Sequence, residues 1–380
     1  MTSLPADLTE GAARARAVAD DVLFPQGQAT DRTPLVPRAH LDALRDAGLF
    51  GLQGPREVRG GLGADHAAAR PVLEAVAGGC GATSFVWAQH HGAVRRVAGG
   101  DGPARDRWLP RLCDGSALAG IGFAYLRRPG PPTVRATRTP GGWRIDGEAP
   151  WITGWGLIDA LVVMARVDDG SRDDGSVVTV VVDRPGDDQR LLAGKPQALA
   201  VMASTGTVTL AFDALKVAEH DVVGVQTDAA WRRRDRLGSA MPPPAPLGIA
   251  DRAVRLLAER PPGPGVLSVT EALSDELQER REAADRVSAS IAAVMAEAPG
   301  AADAAVVTDA VVGAGAAERD RGLDLARRAT DALVAATGGG AMSLEHPAQR
   351  LSREATFFLI QAQTGDLRAA SLARLARVRD

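Results

Sequence analysis

Residues 134–154 read VRATRTPGGWRIDGEAPWITG, and up to Glu148 their period is two. Val134 and Ala136 alternate with Arg135 and Thr137, Pro140-Gly141-Gly142 interrupts, and Trp143 and Ile145 take up the alternation again. Two alternating runs on either side of a Pro-Gly turn predict a β-hairpin. Outward from it, 157–167, 177–182 and 207–212 are runs rich in β-branched residues, separated by Asp, Gly and Pro. Such side chains suit a pleated, half-buried surface, so a small antiparallel β domain is expected from about 119 to 224.

On both flanks the period lengthens. Residues 38–49 place Leu41, Leu44 and Leu49 at helical spacing, and 67–77 and 84–97 repeat the pattern between Gly-rich breaks. Beyond the β region, 245–259, 268–297, 302–336 and 352–377 are long Ala, Leu, Val and Arg segments that predict four helices. Ser268 with Glu271 has the spacing of a capping box, and Gly338-Gly339-Gly340 is a stop signal. The proline clusters at 241–246 and 261–265 predict caps or hinges, because proline cannot donate inside a helix. The expected fold is therefore α+β in three parts: an N-terminal helical domain (1–118), a middle β domain (119–224) and a C-terminal helical domain (225–380).

Composition narrows the function. The 380 residues carry 44 Lys and Arg against 47 Asp and Glu, a net charge of −3, so no basic excess points to nucleic acid or an anionic membrane. Mean hydropathy is −0.06. The apolar runs fall short of the roughly 20 residues that span a bilayer, which predicts a soluble protein. The first residues, MTSLPADLTE, lack the layout of a secretory signal, and Cys80 and Cys113 cannot build a disulfide framework, so the cytoplasm is the expected compartment.

Local motifs add little. Gly60-Gly61-Leu62-Gly63 lacks the preceding strand of a dinucleotide fingerprint and reads as a turn between helices. No CxxC, HExxH or GxSxG occurs, so neither a metal site nor a nucleophile elbow is expected. His90 and His91 share a helix with Trp87, and consecutive positions point about 100° apart. One satisfied histidine and one exposed is the plain expectation, with a cofactor-side acid/base group as the alternative.

The order of segments and several fragments resemble the acyl-CoA dehydrogenase superfamily of flavoproteins over nearly the whole chain. LRDAGLFGL (44–52) with Pro55 and Gly60-Gly61-Leu62-Gly63 is similar to its first signature, and RWLPRLCDG (107–115) to its lead into the β domain. Asp146-Gly147 followed by Trp151-Ile152-Thr153-Gly154 resembles its flavin-side strand end. Ala203-Ser204-Thr205 through Leu210, Phe212, Asp213 and Val217 resembles the strand that follows, and Gly338-Gly339 through Pro347, Arg350-Leu351 and Arg353-Glu354 its C-terminal signature.

The resemblance implies FAD, held between the β domain and the C-terminal helices and partly by a neighbouring subunit. On it, Phe123, Trp151, Ile152 and Thr153 would lie beside the isoalloxazine, where an indole shields one face and a hydroxyl or amide meets N5 or O4. Gly339 would approach the dinucleotide part, and Arg260 and Thr364 would complete the set. The implied reaction is α,β-dehydrogenation of an acyl thioester such as an acyl-CoA, a carboxylate taking the α-proton while the flavin takes the β-hydride. Electron-transfer flavoprotein or oxygen would be the acceptor, and a homodimer or homotetramer, or a hetero-oligomer, the assembly.

Three departures alter that expectation. The usual catalytic Glu position falls on Ala362, in Gln361-Ala362-Gln363-Thr364. An alternative family position, on the helix near Pro246, falls on Gly238, with Asp235 three residues earlier as a candidate base. The strand end that normally bears a serine reads LRRPGPP (126–132), which adds two cations, and Arg260 lies about one helical turn out of register. Three readings follow: dehydrogenation with Asp235 as base, a base-less subunit of a heteromeric dehydrogenase, or an oxygen-using monooxygenase fed with reduced flavin, with His90 or His91 as its proton-handling group.

Overall fold

The computed structural model describes residues 6–297 and 303–376. They divide into two compact units. One takes the chain up to Val18 together with Ala29–Asp65 and Ala82–Trp231; the other takes Ala19–Gln28, His66–Gly81 and the chain from Arg232 onward.

The first unit contains helices α1 (Ala6–Val18), α3 (Arg38–Asp46), α5 (Gly81–Ala98) and α6 (Pro103–Cys113), followed by eight strands. A π-type turn, Ala19–Leu23, leads from α1 into α2 (Phe24–Thr30). The strands are β1 (Ala119–Gly122), β2 (Val134–Thr139), β3 (Gly142–Ile152), β4 (Ala160–Val167), β5 (Val177–Asp183), β6 (Leu191–Ala193), β7 (Val208–Ala218) and β8 (Val222–Gln226). They form one sheet in the order β6-β7-β3-β2-β4-β5-β8, with β1 paired to β4.

The hairpin is the one the alternation predicts: β2 and β3 pair antiparallel from Val134↔Gly147 to Thr139↔Gly142. Pro140 presets the first turn residue and Gly141 takes φ +82°, which a side chain would resist. The sheet is mostly antiparallel, but β1–β4 and β2–β4 run parallel, which alternation alone does not reveal. Central β4 is buried on nearly every residue, so its sequence ALVVMARV is a continuous apolar run.

The second unit holds α4 (His66–Gly79), α8 (Pro244–Ala258), α9 (Val266–Ala296), α10 (Asp303–Thr337), α11 (Pro347–Phe357) and α12 (Gly365–Leu375). Gly248 lets α8 reach α4: a Cβ there would lie 2.1 Å from the Glu74 carbonyl oxygen. Glu74 is buried yet paired, with Arg70 at 2.9 Å and Arg281 at 2.7 Å. Such pairing offsets the cost of burying its charge.

Three expectations are corrected here. The single helix expected over 352–377 is two, α11 and α12, because Ala362 has φ +53° and Thr364 caps α12. Ser268 is not a cap: α9 starts at Val266, and the Ser268 hydroxyl donates back to the Gly265 carbonyl at 3.1 Å. An additional helix, α7 (Asp228–Ala240), lies in the arginine-rich stretch. Within 231–237 only Trp231 and Leu237 are buried, so no apolar stripe at helical spacing announces it.

Candidate functional site

In the first unit the ends of β1 and β3 lie side by side. A Cβ on Gly122 would sit 2.7 Å from Ile152 Cδ1, and one on Gly120 would sit 3.3 Å from the Thr153 carbonyl oxygen. The glycines of β1 are what let Ile152 and Thr153 pack there. Phe123, directly after β1, is half-buried beneath the Arg127 guanidinium, 5.2 Å from its ring centroid. Next to it the Tyr125 hydroxyl reaches the carbonyls of Gly122 at 2.9 Å and Met164 at 2.7 Å, and burial pushes its pKa up.

The register of β3 against β7 slips between Ala149 and Ile152. Pro150 cannot donate to the ladder, and the irregularity turns Trp151 outward, 51% exposed, while Ile152 stays fully buried. An exposed indole beside a buried hydroxyl is an amphipathic shelf.

That hydroxyl opens a chain. Thr153 Oγ1 is 3.1 Å from Thr207 Oγ1, which is 2.8 Å from Thr205 Oγ1, which donates to the Met202 carbonyl at 2.6 Å. Met202 takes φ +61° to present that carbonyl. The two segments are clamped by backbone bonds, Gly154 N–H to Thr205 O at 2.8 Å and Trp155 N–H to Gly206 O at 3.2 Å. The Ser204 hydroxyl next to them is buried with no hydrogen-bond partner among the described residues.

The histidine pair on α5 departs from expectation, since both rings are buried. His90 Nδ1 accepts from the Ala119 N–H at 3.1 Å, so Nε2 carries the hydrogen shared between the carbonyls of Leu112 at 3.1 Å and Phe50 at 3.2 Å. Burial lowers its pKa to about 4. His90 is a structural knot joining α5, β1, the end of α6 and the loop after α3. His91 is the opposite case: neither ring nitrogen has a hydrogen-bond partner among the described residues, and burial, His90 and Arg95 hold its pKa well below the ordinary value. The Trp87 indole lies against it with its own Nε1 unpartnered. The sequence places Trp87 on the same helix, and its position four residues before His91 puts both on one helix face.

In the second unit, Arg260 and the glycine turn meet. Arg260 Nη1 donates to Thr337 Oγ1 at 3.2 Å, and Thr337 leads into the 3₁₀ turn Gly338–Met342. Gly339 is exposed, with no atom within 4 Å of where a Cβ would stand, so nothing in the chain itself requires glycine there. Thr364 serves as the cap of α12, accepting from Leu367 N–H at 3.4 Å. Ala362 ends a turn held by Arg319, which donates to the carbonyls of Phe358, at 3.2 Å, and Gln361. Asp235 is half-buried on α7, and its neighbour Arg236 is paired with Asp309 and with Asp366 at 3.0 Å. Among the described residues no helix is long and apolar enough to cross a membrane.

The residues of the first unit fit a flavin. An exposed aromatic face at Trp151 and a hydroxyl two residues on at Thr153 are groups that could meet such a ring system.

Residues 6–116 match a family model described as the acyl-CoA dehydrogenase N-terminal domain. Among curated proteins, the 3-sulfinopropanoyl-CoA desulfinase of Variovorax paradoxus is 31% identical over 185 residues, covering 46% of this chain and 44% of that protein. The mitochondrial short-chain specific acyl-CoA dehydrogenase of Mus musculus is 24% identical over 55% of this chain and 51% of its own. The matches thus span about half the length of these relatives. Among solved structures, butyryl-CoA dehydrogenase from Megasphaera elsdenii superposes with a TM-score of 0.74 at 19% identity, over 99% of this chain and 100% of that one. Dibenzothiophene monooxygenase TdsC from Paenibacillus sp. A11-2 gives 0.77 at 19% identity, over 97% and 96%. KijD3 in complex with FMN and a dTDP-linked amino sugar gives 0.78 at 21% identity, over 100% and 96%.

Proposed function

We propose, for a chain whose residues 6–116 match the acyl-CoA dehydrogenase N-terminal domain, that it is an FAD-dependent oxidoreductase whose reaction starts without α-proton removal by the turn carrying Ala362. The observation that supports this is the turn itself. Gln361-Ala362-Gln363-Thr364 holds no carboxylate, Arg319 fixes its carbonyls, and an alanine side chain cannot accept a proton. The reading it favours is oxygen-using: molecular oxygen is the oxidant of an organic substrate, one oxygen atom entering the product and the other leaving as water, with the two further electrons supplied by reduced flavin that a reductase delivers.

A bound flavin supplies the two-electron redox chemistry. The chain's own groups do the rest. Trp151 covers a ring face and shields it from water, while Thr153 fixes the ring edge. Within the second unit, Arg260 donates to Thr337 beside Gly338 and Gly339 and is a candidate cation for a pyrophosphate, a group FAD has and FMN lacks. His91, neutral at physiological pH, holds a proton on one ring nitrogen and offers a lone pair on the other. It can therefore pass a proton without changing its net charge.

The second reading is α,β-dehydrogenation of an acyl-CoA, with Asp235 or a partner chain as base and electron-transfer flavoprotein as acceptor. The similarity to curated acyl-CoA dehydrogenases supports it. The purified protein loaded with FAD separates the two. Anaerobic bleaching of the flavin by a panel of acyl-CoAs supports dehydrogenation. No bleaching, together with substrate-dependent oxygen uptake after chemical reduction of the flavin, supports the first reading. Failure to bind FAD or FMN sinks both.

A further inference from the structure

We infer that the Thr153 hydroxyl meets its ligand only as a hydrogen-bond acceptor, and that this polarity makes the site selective for the reduced form of a flavin. The inference deepens the flavin reading above and rests on it.

A hydroxyl has one hydrogen. Thr205 Oγ1 lies 2.6 Å from the Met202 carbonyl oxygen, which can only accept, so the Thr205 hydrogen is committed there. The Thr205 and Thr207 oxygens are 2.8 Å apart, a distance that needs a hydrogen between them, and only Thr207 has one left to give. The Thr207 hydrogen is then committed too. Across the remaining 3.1 Å the donor must be Thr153. Its hydrogen points inward, and what remains for anything outside is lone pairs.

The chain resists reversal. Thr205 is fully buried and Thr153 and Thr207 nearly so, at 7% and 4% exposed, so water does not compete for the hydrogens. The Thr205 backbone N–H also donates to Met202 O, at 3.1 Å, which fixes the anchor. Oxidised isoalloxazine offers bare acceptors at N5 and O4, against which an acceptor hydroxyl is mismatched. Reduction places a hydrogen on N5, and the same hydroxyl then receives it. A protein fed with reduced flavin has a use for that preference; one that must hold oxidised flavin ready for substrate does not.

The test measures dissociation constants of oxidised and of chemically reduced FAD, anaerobically, for the wild type, Thr205→Val, Thr207→Val and Thr205→Ser. The wild type is expected to bind the reduced form about tenfold more tightly at this contact. Thr207→Val removes the inward acceptor and Thr205→Val frees the Thr207 hydrogen, so each lets Thr153 turn its hydrogen outward. Both variants are expected to move the reduced-to-oxidised preference about tenfold toward the oxidised form, about 30 mV in the two-electron potential. Thr205→Ser, which keeps the hydroxyl, is expected to retain the wild-type ratio. A structural role for Thr205 would change the two affinities together, not their ratio. If both valine variants bind flavin with the wild-type ratio, the acceptor-only assignment is overturned and the flavin reading stands. If no variant, wild type included, binds flavin in either state, both fall.

Discussion

The rings of Trp87 and His91 stand at 80° with centroids 4.3 Å apart, and three nitrogens of the pair are buried without a hydrogen-bond partner among the described residues. Each such group costs about 1–3 kcal/mol relative to a satisfied one. A core selected for stability alone would hold apolar residues here, so the pair marks a place where stability is given up.

His91→Phe is therefore expected to raise stability by about 1–3 kcal/mol, since it removes two unsatisfied polar atoms and keeps an aromatic ring against Trp87. Chemical denaturation at neutral pH measures it. A clear loss of stability would mean that His91 has a partner in the folded protein. Under the oxygen-using reading the same variant is expected to lose substrate oxidation while retaining FAD.

His90 gives a pH dependence whose sign is fixed by its depressed pKa. The unfolded imidazole titrates near 6.5 and the folded one near 4, so unfolded chains bind more protons between those values. The stabilisation is present above pH 6.5 and is lost as pH falls toward 4, in all about 3 kcal/mol. His90→Gln, whose amide can still donate and accept, is expected to flatten that slope. A wild-type-like acid slope in the variant would assign it to other groups.

Trp151→Ala separates binding from folding. The side chain is 51% exposed, so the unfolding free energy is expected to change by less than about 0.5 kcal/mol. FAD affinity is expected to fall severalfold as the aromatic cover is lost. Unchanged affinity and spectrum would remove Trp151 from the flavin site.

Ala362 sits at φ +53°, where a side chain costs roughly 1 kcal/mol. Ala362→Gly is expected to recover part of that in thermal unfolding, against the entropy glycine adds to the unfolded chain. Ala362→Glu keeps the strain and supplies a carboxylate. Flavin bleaching by an acyl-CoA in this variant alone would identify the alanine as what withholds dehydrogenation from the natural chain.

By itself the sequence determined what depends on local period and turn chemistry. The change from helical spacing to alternation near residue 119, the Pro140-Gly141 hairpin and the return to helix past 240 fix the α–β–α order. Each is decided within a few residues by which side chains share a face. Trp151 and Thr153 are singled out differently, by the resemblance of Trp151-Ile152-Thr153-Gly154 to a flavoprotein family's strand end. What the tertiary structure alone decided has a different reach. The parallel β1–β4 and β2–β4 pairs join segments with no shared pattern, and the α11–α12 break rests on one backbone angle at Ala362. His90 and His91 are neighbours of the same type, yet three carbonyl or amide groups from other segments satisfy one and, among the described residues, none satisfies the other. The hydrogen direction at Thr153 is set at Met202, through Thr205 and Thr207. A hydroxyl can point either way until every other oxygen in its chain is in place, and only the packed fold puts them there.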